Sequence, residues 1–160
     1  MIALKKTLYI GSDHAGFALK EELKKFLTDE GVKFLDLGSF STESVDYPDI
    51  AREVCEKVVD DVGSFGILLC GTGVGMSMAA NRREGIRAAF CLNEYLARMG
   101  RMHNNANVLC LGGRVIGPEL AKSILRVFLE TPFSDEPKHE RRLAKIEVMA
   151  EPLKDKDLAD

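Results

Sequence analysis

Phe65-Gly66-Ile67-Leu68-Leu69-Cys70-Gly71-Thr72-Gly73-Val74-Gly75 is the stretch from which the chain reads outward. Its first six residues are apolar without alternation, as in a parallel strand covered on both faces. Alternating glycines follow, and a helix is expected over about 73–83. A strand feeding a helix through a glycine turn is half of a βαβ unit.

Towards the N-terminus, 7–11 reads as a strand and 16–29 as an amphipathic helix with Phe17, Leu19, Leu23, Phe26 and Leu27 inward. Gly31 stops that helix. Residues 33–37 form a strand. A polar loop over 38–46 leads to Pro48, placed for the start of a helix running to about Val62. Towards the C-terminus come strand 86–90, helix 93–102, strand 107–111 and helix 117–129. The fold class is therefore α/β: a three-layer, doubly wound, Rossmann-like five-stranded parallel sheet. After the breaker stretch from Thr131 to Pro137, an additional C-terminal helix over 139–150 has no strand to cover. One domain over 1–150 is expected, with a charged, frayed tail over 151–160.

The 160 residues are 46% hydrophobic and 29% charged, the balance of a folded globular domain. A net charge of −3 and the lack of a basic stripe argue against nucleic acid as a partner. Apolar runs are too short for a membrane helix, and Met1–Lys6 has no signal-peptide core, so a cytoplasmic location is expected. Cysteines 55, 70, 91 and 110 form no C-x-x-C pair and have only three histidines to join them, which argues against a zinc site. Cys55, Cys91 and Cys110 are expected to be small buried hydrophobes.

Ligands of such sheets bind beyond the carboxyl ends of the strands. Three strand ends carry Gly11-Ser12-Asp13-His14-Ala15-Gly16, Cys70 with its glycine loop, and Gly112-Gly113-Arg114. Gly71, Gly73 and Gly75 let backbone approach a ligand closely, and amides at the helix start favour an anion. The spacing is neither the dinucleotide fingerprint nor the P-loop, which opposes a cofactor-dependent oxidoreductase. Cys70 reads as the last core residue of its strand or, standing against a helix start, as a thiol in a position that favours a thiolate. Thr72 reads as a helix cap, as a hydroxyl that meets an oxyanion, or as both. Asp13 reads as a cap or, with His14, as a contact to substrate hydroxyls. His103, ending helix 93–102, reads as a cationic cap or as part of a site. The cations of Lys138-His139-Glu140-Arg141-Arg142 oppose the dipole of their own helix, which makes sense beside a phosphate; the alternative is a solvated face. Helix 93–102 runs back to the amino edge of the sheet, so His103 should lie roughly 15–20 Å from Cys70 of the same chain. If both serve one site, His103 comes from a second subunit, in a two-fold dimer with two shared sites.

Taken together these motifs resemble type B ribose-5-phosphate isomerase, of the family that also holds galactose-6-phosphate isomerase subunits. Asp46-Tyr47-Pro48-Asp49, Ala79-Ala80-Asn81, Gly85-Ile86-Arg87-Ala88, Asn107-Val108-Leu109 and Gly112–Gly117 extend the likeness over nearly the whole chain. The resemblance implies interconversion of ribose 5-phosphate and ribulose 5-phosphate through a cis-enediolate, in the non-oxidative branch of the pentose phosphate pathway, without metal or cofactor. It implies Cys70 as the base between C1 and C2, and His103 as the acid in ring opening. Thr72 and the amides of Gly71, Gly73, Val74 and Gly75 would meet the enediolate. Asp13, His14, Tyr47 and Asn104 would hold sugar oxygens. Arg114, Lys138 and Arg142 would bind the phosphate, with His139 close by. One branch of the family places a glutamate base six positions after the cysteine's place; here Met76 stands there, which matches the cysteine branch. Lys138 stands where the family often has arginine, keeping charge but losing a bidentate grip. A six-carbon substrate, allose 6-phosphate or galactose 6-phosphate, stays open, as does a tetramer. A phosphate-binding module on the same fold is the reading from another class; mere binding needs no thiol at the loop.

Overall fold

The computed structural model describes residues 1–149; Ala150 and the tail expected over 151–160 lie outside them. In chain order the elements are β1 (Leu8–Ser12), α1 (Phe17–Asp29), β2 (Phe34–Asp36), α2 (Tyr47–Asp60), β3 (Phe65–Cys70), α3 (Val74–Ala80), β4 (Ala88–Phe90), α4 (Glu94–Asn104), β5 (Val108–Gly112), α5 (Pro118–Glu130) and α6 (Pro137–Val148). The strands form one parallel sheet in the order β2-β1-β3-β5-β4. The chain leaves β1 for one edge and β3 for the other, so the crevice between their carboxyl ends is the switch point where ligands of such sheets bind.

Alternation along the strands divides the core. Ile67 and Leu69 pack with Leu23, Leu27, Ile124, Leu125 and Phe128 on the α1/α4/α5 side. Leu68 and Cys70 pack with Val54, Cys55, Met76 and Ala80 on the α2/α3 side. Each such apolar side chain, fully buried, contributes about 1.5–3 kcal/mol. Cys55, Cys91 and Cys110 are free and buried as expected; burial pushes the thiols of Cys55 and Cys91 up to about 12 and that of Cys110 well above its usual value.

Several boundaries differ from the sequence reading. Helix α3 stops at Ala80 because the Asn81 side chain both donates to and accepts from the Ala88 backbone, turning the chain into β4. Strand β4 is shorter than 86–90 because the Arg87 amide donates to the Asn107 side chain instead of joining the ladder. Helix α4 continues to Asn104, and Asn105 closes it in the left-handed region with φ 45°.

On α1, Leu19, Leu23 and Leu27 face inward, with half-buried Phe26 packed against the same core, while Phe17 is half-buried outside it. Lys20 is fully buried as well. Its ammonium donates to Asp36 at 2.6 Å and to the Ser39 carbonyl at 2.5 Å, between the rings of Phe17 and Phe40. Lys24 holds the second Asp36 oxygen at 2.7 Å. Burial alone would raise the Asp36 carboxyl, but both ammonium groups and the Gly38 amide outweigh it and hold it below the usual carboxylate range. A depressed carboxyl stabilises the fold above its unfolded value, and acid removes that contribution below about pH 4. Lys20→Met is expected to cost about 3 kcal/mol in denaturant unfolding, because it leaves buried acceptors without their donor. A loss below about 1 kcal/mol, the range of exposed pairs, would contradict that account.

Candidate active site

Three loops and one helix start converge at the carboxyl edge. The β1–α1 loop is held down by Asp13, which is buried and accepts from the amides of Ala15 and Gly16 at 2.9 and 3.0 Å through one oxygen. Asp13 thus closes a turn ahead of α1, whose N-cap is Gly16 with no side-chain cap, and only Oδ1 is used for it. His14 accepts from the Val45 amide through Nδ1 at 3.3 Å, which leaves Nε2 to carry the hydrogen of the neutral ring. The polar loop 38–46 is thereby tied to His14.

Gly16 lets this loop lie against β3: a Cβ there would stand 2.6 Å from the Leu69 carbonyl. Cys70, 5% exposed, ends β3, and its sulfur accepts from the Gly73 amide at 3.1 Å. That geometry depends on Gly73 at φ 84°, where a side chain would also strike the Phe90 ring at 2.9 Å. Thr72 is exposed, and its hydroxyl accepts from the Val74 amide at 3.2 Å. Tyr47, the first residue of α2, lies across Gly75; its hydroxyl is 3.1 Å from where a Cβ would be. The Gly113 and Arg114 amides donate to the carbonyls of Cys70 and Gly71 at 2.8 and 2.9 Å, and the Arg114 side chain packs by Gly71. Asp13, His14, Tyr47, the loop Cys70–Gly75 and Arg114 therefore share one edge.

His103, Asn104, Lys138, His139 and Arg142 do not join them. Helix α4 returns towards the amino edge, where neighbouring Arg101 donates to the Ala106 carbonyl at the approach to β5 and lies over the Phe65 ring at the start of β3. The length of β5, roughly 13 Å, separates the two groups. Here the start of α6 meets the end of α4, with His139 stacked on His103 and Lys138 paired to Glu136 at 2.8 Å. A cavity of about 380 Å³ between the turn 81–87, Gly100, Asn104 and Leu143 lies at this end too, away from Cys70.

Sequence reasoning missed Lys20 and Arg101. Arg101 is buried, donates to the carbonyls of Ala106 and Thr131, and is lowered to about 10 by burial and by Arg87. Both are charged helix residues with partners beyond their own helix: Asp36 and Ser39 for Lys20, Ala106 and Thr131 for Arg101. No helix among the described residues is long and apolar enough to cross a membrane.

A ribose/galactose isomerase profile matches residues 8–146. Ribose-5-phosphate isomerase B of Escherichia coli is 43% identical over 141 residues, 88% of this chain and 94% of that protein. A D-erythrulose-4-phosphate isomerase of Pectobacterium atrosepticum is 43% identical over 128 residues, 79% of this chain and 84% of its own. A crystal structure of a ribose 5-phosphate isomerase of Thermotoga maritima superposes with a TM-score of 0.88 at 52% identity, covering 91% of this chain and 99% of that one.

Proposed function

The chain belongs to the ribose/galactose isomerase family, and from that premise we propose that it interconverts ribose 5-phosphate and ribulose 5-phosphate as an aldose–ketose isomerase. The observation that carries this reading is Cys70 in its glycine loop at the β1/β3 switch point, with a backbone N–H 3.1 Å from the sulfur.

A proton beside a carbonyl is weakly acidic, so its removal needs both a base and stabilised enediolate oxygens. Cys70 is the base, moving the proton between C1 and C2. The Gly73 amide donates to the sulfur and so fixes its position in the loop. Thr72, at the rim, and the amides of Gly71, Gly73, Val74 and Gly75 meet the developing oxyanion. Asp13 keeps Oδ2 for sugar hydroxyls, and His14 offers its Nε2–H. Tyr47 closes the loop side, and Arg114 takes the phosphate end.

A furanose must open before its carbonyl exists, and the acid for that step is His103 of a second subunit. Its distance from Cys70 within one chain supports this. So do the exposed apolar side chains Val74 and Met78 on α3 and Leu92, Tyr95 and Leu96 about the start of α4, which a monomer would leave in water. In the two-fold dimer, Asn104, Lys138, His139 and Arg142 arrive with His103; the first holds a sugar oxygen and the cations bind the phosphate. Four free, buried thiols suit a reducing, cytoplasmic setting.

Arg142→Ala is expected to raise KM by about tenfold or more with kcat largely kept, the mark of a lost charged hydrogen bond in substrate and transition state alike. An unchanged KM would remove Arg142 from the phosphate site. The reading as a whole is tested by a coupled assay across ribose, allose and galactose phosphates. Conversion of ribose 5-phosphate is expected to be the fastest. A faster six-carbon substrate would move the assignment within the family, and no conversion of any of the three would overturn it.

A further inference from the structure

Two helix ends meet where α4 stops and α6 starts, and each carries a histidine. His103 lies in the last turn of α4 and His139 in the first turn of α6. Their rings are stacked, with centroids 4.3 Å apart and planes 13° from parallel. His139 is only 5% exposed, and among the described residues its Nε2 has no hydrogen-bond partner. Phosphate binding alone does not explain a ring so enclosed and so aligned with the proposed acid.

Two imidazolium rings at that separation repel strongly wherever water is excluded. The stack therefore takes one proton readily and a second reluctantly. Amides at the start of α6 oppose a cation on His139. Burial works the same way. The charged groups facing His139 are His103 from α4, Glu136 before α6, and Lys138 and Arg142 on α6. Burial first, then His103, Lys138 and Arg142, hold the His139 imidazole below its usual value; Glu136 works against them.

We propose that His139 is the positioning residue of His103, a buried ring stacked on the acid and kept neutral in the free protein. His139 keeps the His103 ring in place by stacking on it, and it charges only when an anion binds at the start of α6. This rests on the reading of His103 as the acid and of the α6 start as the phosphate site. A substrate phosphate thereby draws a proton onto His139, which becomes a donor to it.

Histidine-selective NMR reads this directly, because the chain has only three histidines, His14, His103 and His139. In the free protein His139 is expected to titrate below the ordinary imidazole range. In His103→Phe, which keeps a flat ring but no charge, its midpoint is expected to rise by about one pH unit. His103→Gln repeats the measurement should the first variant fail to fold. Saturating sulfate, a dianion across the range, is expected to raise the same midpoint in the unaltered protein. A midpoint that stays put in the His103 variants, or in sulfate, overturns the proposal. Turnover supplies the second readout. His139→Ala is expected to lose kcat roughly tenfold, since displaced catalytic groups lose rate steeply, and His139→Phe to restore most of it. Equal losses in both overturn the positioning role. A His103→Gln variant with normal turnover would instead remove the acid reading, while the NMR coupling stands or falls separately.

Discussion

Replacing Cys70 with alanine is expected to abolish nearly all turnover while sugar-phosphate binding persists. A positioned acid–base group contributes about 10²–10⁴-fold, and no second base stands ready. The side chain six residues on, Met76, is a fully buried thioether. Cys110 is buried nearby on the same side of the sheet, and its thiol is pushed well above its usual value, so it stays protonated. Removing the sulfur leaves the buried Gly73 amide without its acceptor, a cost of about 1–3 kcal/mol. That is too little to unfold a domain, so lost activity would report chemistry. Steady-state rates give kcat, and calorimetry with a sugar phosphate gives affinity. A fall in kcat of about a thousandfold with affinity held supports the assignment, and near-normal turnover rejects it. The comparison is cleaner than a pH profile, to which the substrate phosphate would add its own titration.

The sheet and its carboxyl edge were legible because they rest on short-range pattern. The unbroken run Phe65–Cys70 could only be an inner strand, and glycines mark the close approaches that the loops make. Gly16, Gly73 and Gly113 each leave room for backbone that a Cβ would strike at 3.0 Å or less. Long-range pairing was not legible. Helical periodicity assigns Lys20 to solvent, and only the fold brings Asp36 and the Ser39 carbonyl to it. The same periodicity placed Phe17 and Phe26 inward: Phe26 does pack against the core, whereas Phe17 lies half-buried over the Lys20 ammonium. Asn81 and Asn107 ended elements early by bonding backbone across a gap, which no local propensity encodes. The division of the site was legible from helix direction alone. The stacking of His103 on His139 was not, since nothing in either segment announces the other.

Mixing two inactive variants is expected to restore activity, and this follows from the division of the site. Cys70→Ala chains lack the base, and His103→Gln chains lack the acid. In a two-fold dimer each site takes Cys70 from one chain and His103 from the other. A mixed dimer therefore has one site with both groups missing and one with both intact. Random re-association of equal amounts makes about half the dimers mixed, so the mixture should reach about one quarter of unaltered activity. A site complete within one chain allows no recovery, because every chain in the mixture lacks one group. The converse mixture distinguishes the same alternatives from the other side. Unaltered chains mixed equally with chains carrying both substitutions should fall to about one quarter of full activity, since every mixed dimer then pairs an intact group with a missing one. Sites complete within each chain would leave about one half. Recovery in the first mixture and the deeper fall in the second both depend on β5 standing between Cys70 and His103. A result of no recovery and one half would require helix α4 to present His103 to its own chain's Cys70, against the direction in which that helix runs.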